Sequence, residues 1–190
     1  MNKSASTILL VTITSSLITF TPDLQAGGAA ATFDGKGNLL QPKDYREWIH
    51  VGTPVTPNEL NPPEAGFPEF HNVYIDPASW KHYKQTGKFR DGTILIKELT
   101  SVGAKEASSG KGYFMGDFIG LEATVKDARR FAEEPGNWGY FTFSHEPPPY
   151  PATAKLQATA NCNGACHEKL AAEDWVFTQH YPVLRAAKPK

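Results

Sequence analysis

A chain of 190 residues with 19 basic and 20 acidic side chains carries a formal net charge of −1, and no basic stripe runs along it, which excludes a nucleic-acid-binding surface. Its 40% hydrophobic content suits one domain with a core of its own, and no run after Phe20 reaches transmembrane length. The only two cysteines, Cys162 and Cys166, are too close together to staple distant parts of a fold.

The first residues read as an address. Lys3 gives a short positive start, residues 8–20 are apolar with Ser and Thr interspersed, and Leu24-Gln25-Ala26 offers a small residue before a cut. Residues 1–26 are therefore expected to be a signal peptide, because the apolar run is short and hydroxyl-rich for a permanent span; a retained anchor is the alternative. Export to the periplasm then leaves residues 27–190 as a single domain, with no membrane association after removal of the signal.

Residues 42–52 suggest a short helix carrying Trp48, followed by an irregular proline-rich stretch over 53–70. Val73-Tyr74-Ile75 is a strand candidate ending at Asp76-Pro77, where Pro77 opens a helix that runs to Gly87. Asp91-Gly92 marks a turn before a β-branched strand over 93–102. A loop over 107–112 leads to a long strand over 113–125 with Gly116 and Gly120 as bend points. Its Gly110-Lys111 lacks the upstream glycine and following hydroxyl of a phosphate loop. Residues 126–134 suggest another short helix, and 139–143 a strand. Pro147, Pro148, Pro149 and Pro151 predict a stiff connector, and residues 161–187 read as helical with a break near Pro182. The expected class is mainly β (α+β): an antiparallel sheet of about five strands, with helices at its ends and a C-terminal haem-attachment helix.

That last expectation rests on Cys162-Asn163-Gly164-Ala165-Cys166-His167. Covalent haem needs two thiols to add across the porphyrin vinyl groups and an imidazole just after the second thiol to reach the iron; the usual form is C-x-x-C-H. Here the spacing is one residue longer, and on a helix the two thiols still lie one turn apart on one face. A small-loop disulfide, a zinc site sharing scattered histidines, and unrelated buried thiols are the competing readings. If haem is held, His167 is its proximal ligand and the iron's other axial position decides the class. Once Met1 leaves with the signal, Met115 is the only methionine, while His50, His71, His82, His145 and His180 are candidates by count alone. Scarce methionine favours an open distal site, hence a small-molecule binder or enzyme over an electron carrier.

The chain also resembles the cytochrome P-460 family, periplasmic hydroxylamine-oxidising haem proteins. The matching stretches are Tyr45-Arg46-Glu47-Trp48, Thr56-Pro57-Asn58-Glu59-Leu60, Val73-Tyr74-Ile75-Asp76-Pro77 and Phe89-Arg90-Asp91-Gly92-Thr93. They continue with Lys97-Glu98-Leu99, Gly112-Tyr113-Phe114-Met115-Gly116-Asp117, Glu134-Pro135-Gly136-Asn137-Trp138 and Tyr181-Pro182-Val183-Leu184-Arg185. The resemblance implies a mostly β homodimer with one five-coordinate haem c per chain, and a lysine side chain bonded to a porphyrin meso carbon. It also implies oxidation of hydroxylamine to nitrous oxide and/or nitric oxide, with electrons passing to a periplasmic acceptor such as a c-type cytochrome. Two departures from the family pattern stand out: the longer C-x-x-x-C-H, and His71 where an arginine is expected in the distal pocket.

Within this resemblance Lys97 is the cross-linking lysine. Alternation puts it on one strand face with Leu95 and Leu99, where burial disfavours the ammonium and exposes the nucleophilic lone pair. Composition alone favours a strand-end lysine snorkelling to water. Glu122, placed by alternation on the face of Gly120 and Phe118, reads by itself as a solvent-facing carboxylate; the resemblance makes it the distal base, with His71 as its neighbour and Gly120 leaving room for the ligand. The alternatives are a non-catalytic cytochrome resembling cytochrome c′-β, which binds nitric oxide in an apolar pocket, and an electron-transfer cytochrome. Lys97 and Glu122 favour the enzyme.

Overall fold

The computed structural model describes residues 31–190, so the expected signal peptide lies outside the described residues. Five strands make one antiparallel sheet: β1 (Ile49–Gly52), β2 (Phe70–Ile75), β3 (Ile94–Val102), β4 (Met115–Lys126) and β5 (Trp138–Ser144). Their order across the sheet is their order along the chain, a meander that needs no crossover. The mainly β class and the expected five strands are both observed. No described helix is long and apolar enough to cross a membrane.

Helix α1 (Pro77–Thr86) forms where Asp76 and Pro77 predict it. The Asp76 carboxylate accepts the Ser79 N–H at 2.9 Å, capping the helix, and the Ile94 N–H at 3.1 Å, pinning the helix start to β3. Gly87 ends it with φ 68°, in the left-handed region that glycine enters without steric cost.

Three local expectations differ from the structure. Residues 42–52 are not a helix: only Tyr45–Glu47 makes a 3-10 turn, and Ile49 then pairs with Ile75 and His50 with Tyr74 in the sheet. Residues 127–134 are turns rather than a helix, with Asp127 Oδ1 accepting the Arg129 and Arg130 N–H groups. The helical reading of 161–187 is interrupted: α2 (Glu168–Leu170) is followed by irregular chain, a 3-10 turn at Thr178–His180 and then α3 (Pro182–Ala187). Beyond the proline connector the chain folds back onto the body, with Thr153–Ala154 pairing with Leu39–Leu40 and Leu156 bridging to Phe141.

Both faces of the sheet are covered. On the first, Ile94, Ile96, Leu121, Ala123, Phe141 and Phe143 pack under the N-terminal segment and Phe131. On the second, Val73, Ile75, Leu95, Trp138 and Tyr140 pack under α1, α3 and the chain between α2 and α3. Successive residues of β3 therefore serve different cores, as strand pleating requires.

The first face holds a buried charge. Glu98 is 1% exposed; its Oε1 accepts the Tyr45 hydroxyl at 2.6 Å and Arg46 Nη2 at 2.5 Å, and its Oε2 accepts Arg46 Nε at 3.1 Å. A buried carboxylate that loses a donor retains its desolvation cost. Tyr45→Phe should therefore lower the unfolding free energy by about 1–3 kcal/mol, seen as a reduced urea midpoint with an unchanged slope. An unchanged midpoint would show that Arg46 alone satisfies Glu98.

Candidate functional site

The cysteine pair lies in the segment that covers the second face. Asn163–His167 is a single π-helical turn in which the Glu168 N–H donates to Asn163 O. Just before it, the Gly164 N–H reaches back to Thr159 O at 2.7 Å, another five-residue closure. A π turn is wider than an α turn, so it absorbs the extra residue of the C-x-x-x-C-H spacing and keeps the two cysteines about one turn apart. Asn163, inside the motif, anchors the turn: it is 1% exposed, and its Nδ2 donates to Pro135 O and Trp138 O at 3.2 and 3.3 Å. Both thiols are free, Cys162 half-buried and Cys166 exposed. Burial, reinforced by the Glu122 carboxylate, pushes the Cys162 thiol pKa up, while Lys97 opposes it.

His167 sits between aromatic rings, 4.5 Å from Tyr140 and 4.6 Å from Phe177. Its Nδ1 lies 2.8 Å from Trp175 O. A carbonyl can only accept, so Nδ1 carries the proton and Nε2 presents its lone pair. Burial lowers the pKa of the ring to about 4, which keeps it in the neutral form that binds metals.

The Trp175 carbonyl is set by an uncommon turn. Glu173 and Val176 bridge, and the two residues between them have positive φ, 43° at Asp174 and 60° at Trp175, as a type I′ turn requires. A bulky residue there is strained, and its neighbours hold it. Lys126 Nζ grips both Asp174 oxygens at 2.7 and 2.8 Å, Trp138 Nε1 donates to Asp174 Oδ1 at 3.3 Å, and the Trp175 ring fills the space where a side chain on Gly136 would stand.

Lys97 and Glu122 are direct cross-strand partners on this same face. Lys97 Nζ is 2.5 Å from Glu122 Oε2, and it sits 4.6 Å from the centre of the Phe67 ring. Lys97 is thus an ion-paired amine rather than an isolated buried one. Glu122 Oε1 is 2.7 Å from His145 Nε2. Burial pushes the Glu122 carboxyl up, but the His145 hydrogen bond and the Lys97 charge outweigh it and hold the pKa at about 2. His71 pairs with Leu99 two positions along, beside the Phe67 ring edge. Burial, then the Lys97 charge, lowers its pKa to about 4, and its buried Nε2 has no hydrogen-bond partner.

Lys97, Glu122 and His71 therefore come together, on the face against which Cys162 and His167 pack. Two details of the alternation differ. Leu99 pairs with Gly120 but Thr100 with Phe118, so a bulge at Ile119 turns Phe118 to the opposite face, where its ring lies 4.4 Å from the Arg46 guanidinium carbon. Gly120 does not make ligand space, because a Cβ there would press on Leu99 Cδ1 at 2.9 Å and Ser144 O at 3.0 Å. Its role is close strand packing. Sequence reasoning also missed Phe67, His145 as a partner of Glu122, and the Asp174-Trp175 turn. Strand pairing could have found His145, since Ser144 pairs with Leu121; no sequence signal marks the turn.

The donor set fits a haem. Two unpaired thiols and an imidazole with a free Nε2 share one short turn, and an orphaned ring nitrogen and an ion pair lie on the sheet face beneath. This arrangement on a β meander is that of a haem protein of the cytochrome class. A family model, that of cytochrome P-460, matches residues 42–178, and the chain belongs to the cytochrome P-460 family. A comparison with curated proteins finds no match.

Proposed function

We propose that the protein is a periplasmic c-type haem enzyme that oxidises hydroxylamine to nitrous oxide and/or nitric oxide. In this reading Cys162 and Cys166 would hold one haem by thioether bonds, His167 Nε2 would ligate its iron and Lys97 would be bonded to the porphyrin. The observation that carries it is the Lys97–Glu122 pair at 2.5 Å, set on the sheet face that the Cys162–His167 turn covers. Haem iron supplies the centre that collects the substrate's electrons. Two hydroxylamines yielding one nitrous oxide and one water release four protons and four electrons, and the protons need an acceptor within hydrogen-bond reach. Glu122, ionised at neutral pH, is that acceptor. The half-buried, neutral His71 offers its buried, unpartnered Nε2 to orient the substrate's hydroxyl or amine. Electrons leave to a periplasmic acceptor such as a c-type cytochrome, and the working form is a homodimer.

A second reading, a nitric-oxide-binding cytochrome resembling cytochrome c′-β, draws support from Phe67, whose apolar ring borders Lys97, His71 and His145. Adding hydroxylamine to the ferric protein with an electron acceptor separates the two. Nitrous or nitric oxide produced over many turnovers supports the enzyme, and nitric oxide binding without turnover supports the carrier. The cross-link has its own check: the native protein should show a red-shifted ferrous Soret band, and Lys97→Ala should keep its haem attached but give an ordinary haem c spectrum. An unchanged spectrum in Lys97→Ala would remove Lys97 from the assignment.

A further inference from the structure

Glu122 has two partners, and they differ in access to water. The carboxylate side chain is 13% exposed and Lys97, on Oε2, is 26% exposed; His145, on Oε1, is 53% exposed. His145 is the first residue after β5, placed beside the carboxylate by the β4–β5 pairing of Glu122 with Thr142 and Leu121 with Ser144. The Phe67 ring, its centre 6.2 Å from that of the imidazole and nearly perpendicular to it, flanks it. Accepting one proton from each step of a four-proton oxidation would fill a single carboxylate at once, so turnover needs a way out. Lys97 is committed to the porphyrin in the proposed reading, and His71 Nε2 is enclosed, with no partner leading to the surface.

We propose that His145 is the proton outlet of the site, a residue that takes protons from Glu122 and passes them to solvent. This rests on the reading of Glu122 as the base. In each pass the proton on Glu122 Oε1 transfers to Nε2 of the neutral, Nδ1-protonated imidazole, the Nδ1 proton leaves to water, and the resulting Nε2–H tautomer is reset by proton exchange with water before the next pass; no electrons move. The charges that face His145 are Glu122, Glu69 and Lys97. The hydrogen bond to Glu122 raises its pKa above the ordinary histidine value, Glu69 adds to the rise, and burial and Lys97 oppose it. Histidine is the side chain whose charge ordinarily changes nearest neutral pH, which suits a group that must both accept and release a proton.

The test is His145→Gln in the haem-loaded protein, with Glu122→Gln alongside. His145→Gln should keep its haem spectrum and its hydroxylamine affinity, yet turn over at least about tenfold more slowly. It should show a larger solvent deuterium effect, lose the limb of the pH profile that rises as His145 deprotonates, and recover when imidazole is added. A readout independent of turnover is an infrared titration of the Glu122 carboxyl band, whose protonation midpoint should rise in His145→Gln because a neutral amide replaces the imidazole whose charge helps to lower it. If Glu122→Gln is slow while His145→Gln turns over fully and ignores added imidazole, the outlet is overturned and the base stands. If Glu122→Gln turns over fully, the base reading falls and the outlet with it. An unmoved carboxyl midpoint would show that the two side chains are not coupled.

Discussion

Glu122→Gln should attach haem and bind hydroxylamine as the native protein does, yet oxidise it roughly a hundredfold or more slowly, the usual loss when a positioned base is removed. Glutamine keeps the shape and can still hydrogen-bond Lys97 and His145, so the effect reports the missing proton acceptor rather than a collapsed site. Glu122→Ala should lose at least as much activity and should also strip Lys97 of its partner. With the Glu122 pKa held at about 2, the native enzyme has no activity limb from this group near neutral pH. The stability sign follows from the same shift. A lowered carboxyl pKa stabilises the fold above its unfolded value and loses that contribution as pH falls toward about 2. Acid unfolding should therefore be less steep over that window in Glu122→Gln, and an equal steepness would mean that the pair contributes nothing.

The other large effect belongs to attachment. Intact-mass measurement after acid and organic extraction should give the native polypeptide plus one haem. The double variant Cys162→Ala, Cys166→Ala should give the bare polypeptide, and His167→Ala should lose the axial ligand and the native spectrum. Haem that washes freely from the native protein would end the covalent reading. Asn163 contributes indirectly: its amide fastens the π turn to Pro135 O and Trp138 O, so the thiols are presented from a fixed backbone.

What the sequence discloses and what it hides divides by the range of the forces involved. Helix α1 is legible because its start and stop signals, Asp76-Pro77 and Gly87, are local. Strands β3 and β4 are legible from β-branched alternation. Strand β1 is not, since Ile49–Gly52 is extended only because β2 pairs with it, a contact between segments well separated in the chain. The faces of Lys97 and Glu122 follow from alternation, but that of Phe118 does not, because one bulged residue reverses the count. The cysteine motif announces the cofactor, whereas the carbonyl that orients His167 comes from Asp174-Trp175, a pair that turn preferences would never select. The family resemblance drew Lys97 and Glu122 into one site from residues that, taken singly, read as ordinary surface charges.

Adjacent in β3, Lys97 and Glu98 have a consequence for how faithfully the sheet is assembled. Lys97 meets Glu122 on one face, and Glu98 meets Arg46 on the other. A slip of one residue between β3 and β4 would exchange the faces: in one direction Glu98 would be brought against Glu122 with Lys97 in the apolar place of Ile96, and in the other Lys97 would take the place of Glu98 beside Arg46. Either error sets like charges together. The two ion pairs thus act as a proofreading device for strand alignment, so that the pairing which assembles the site is also the one in which neither face carries unbalanced charge.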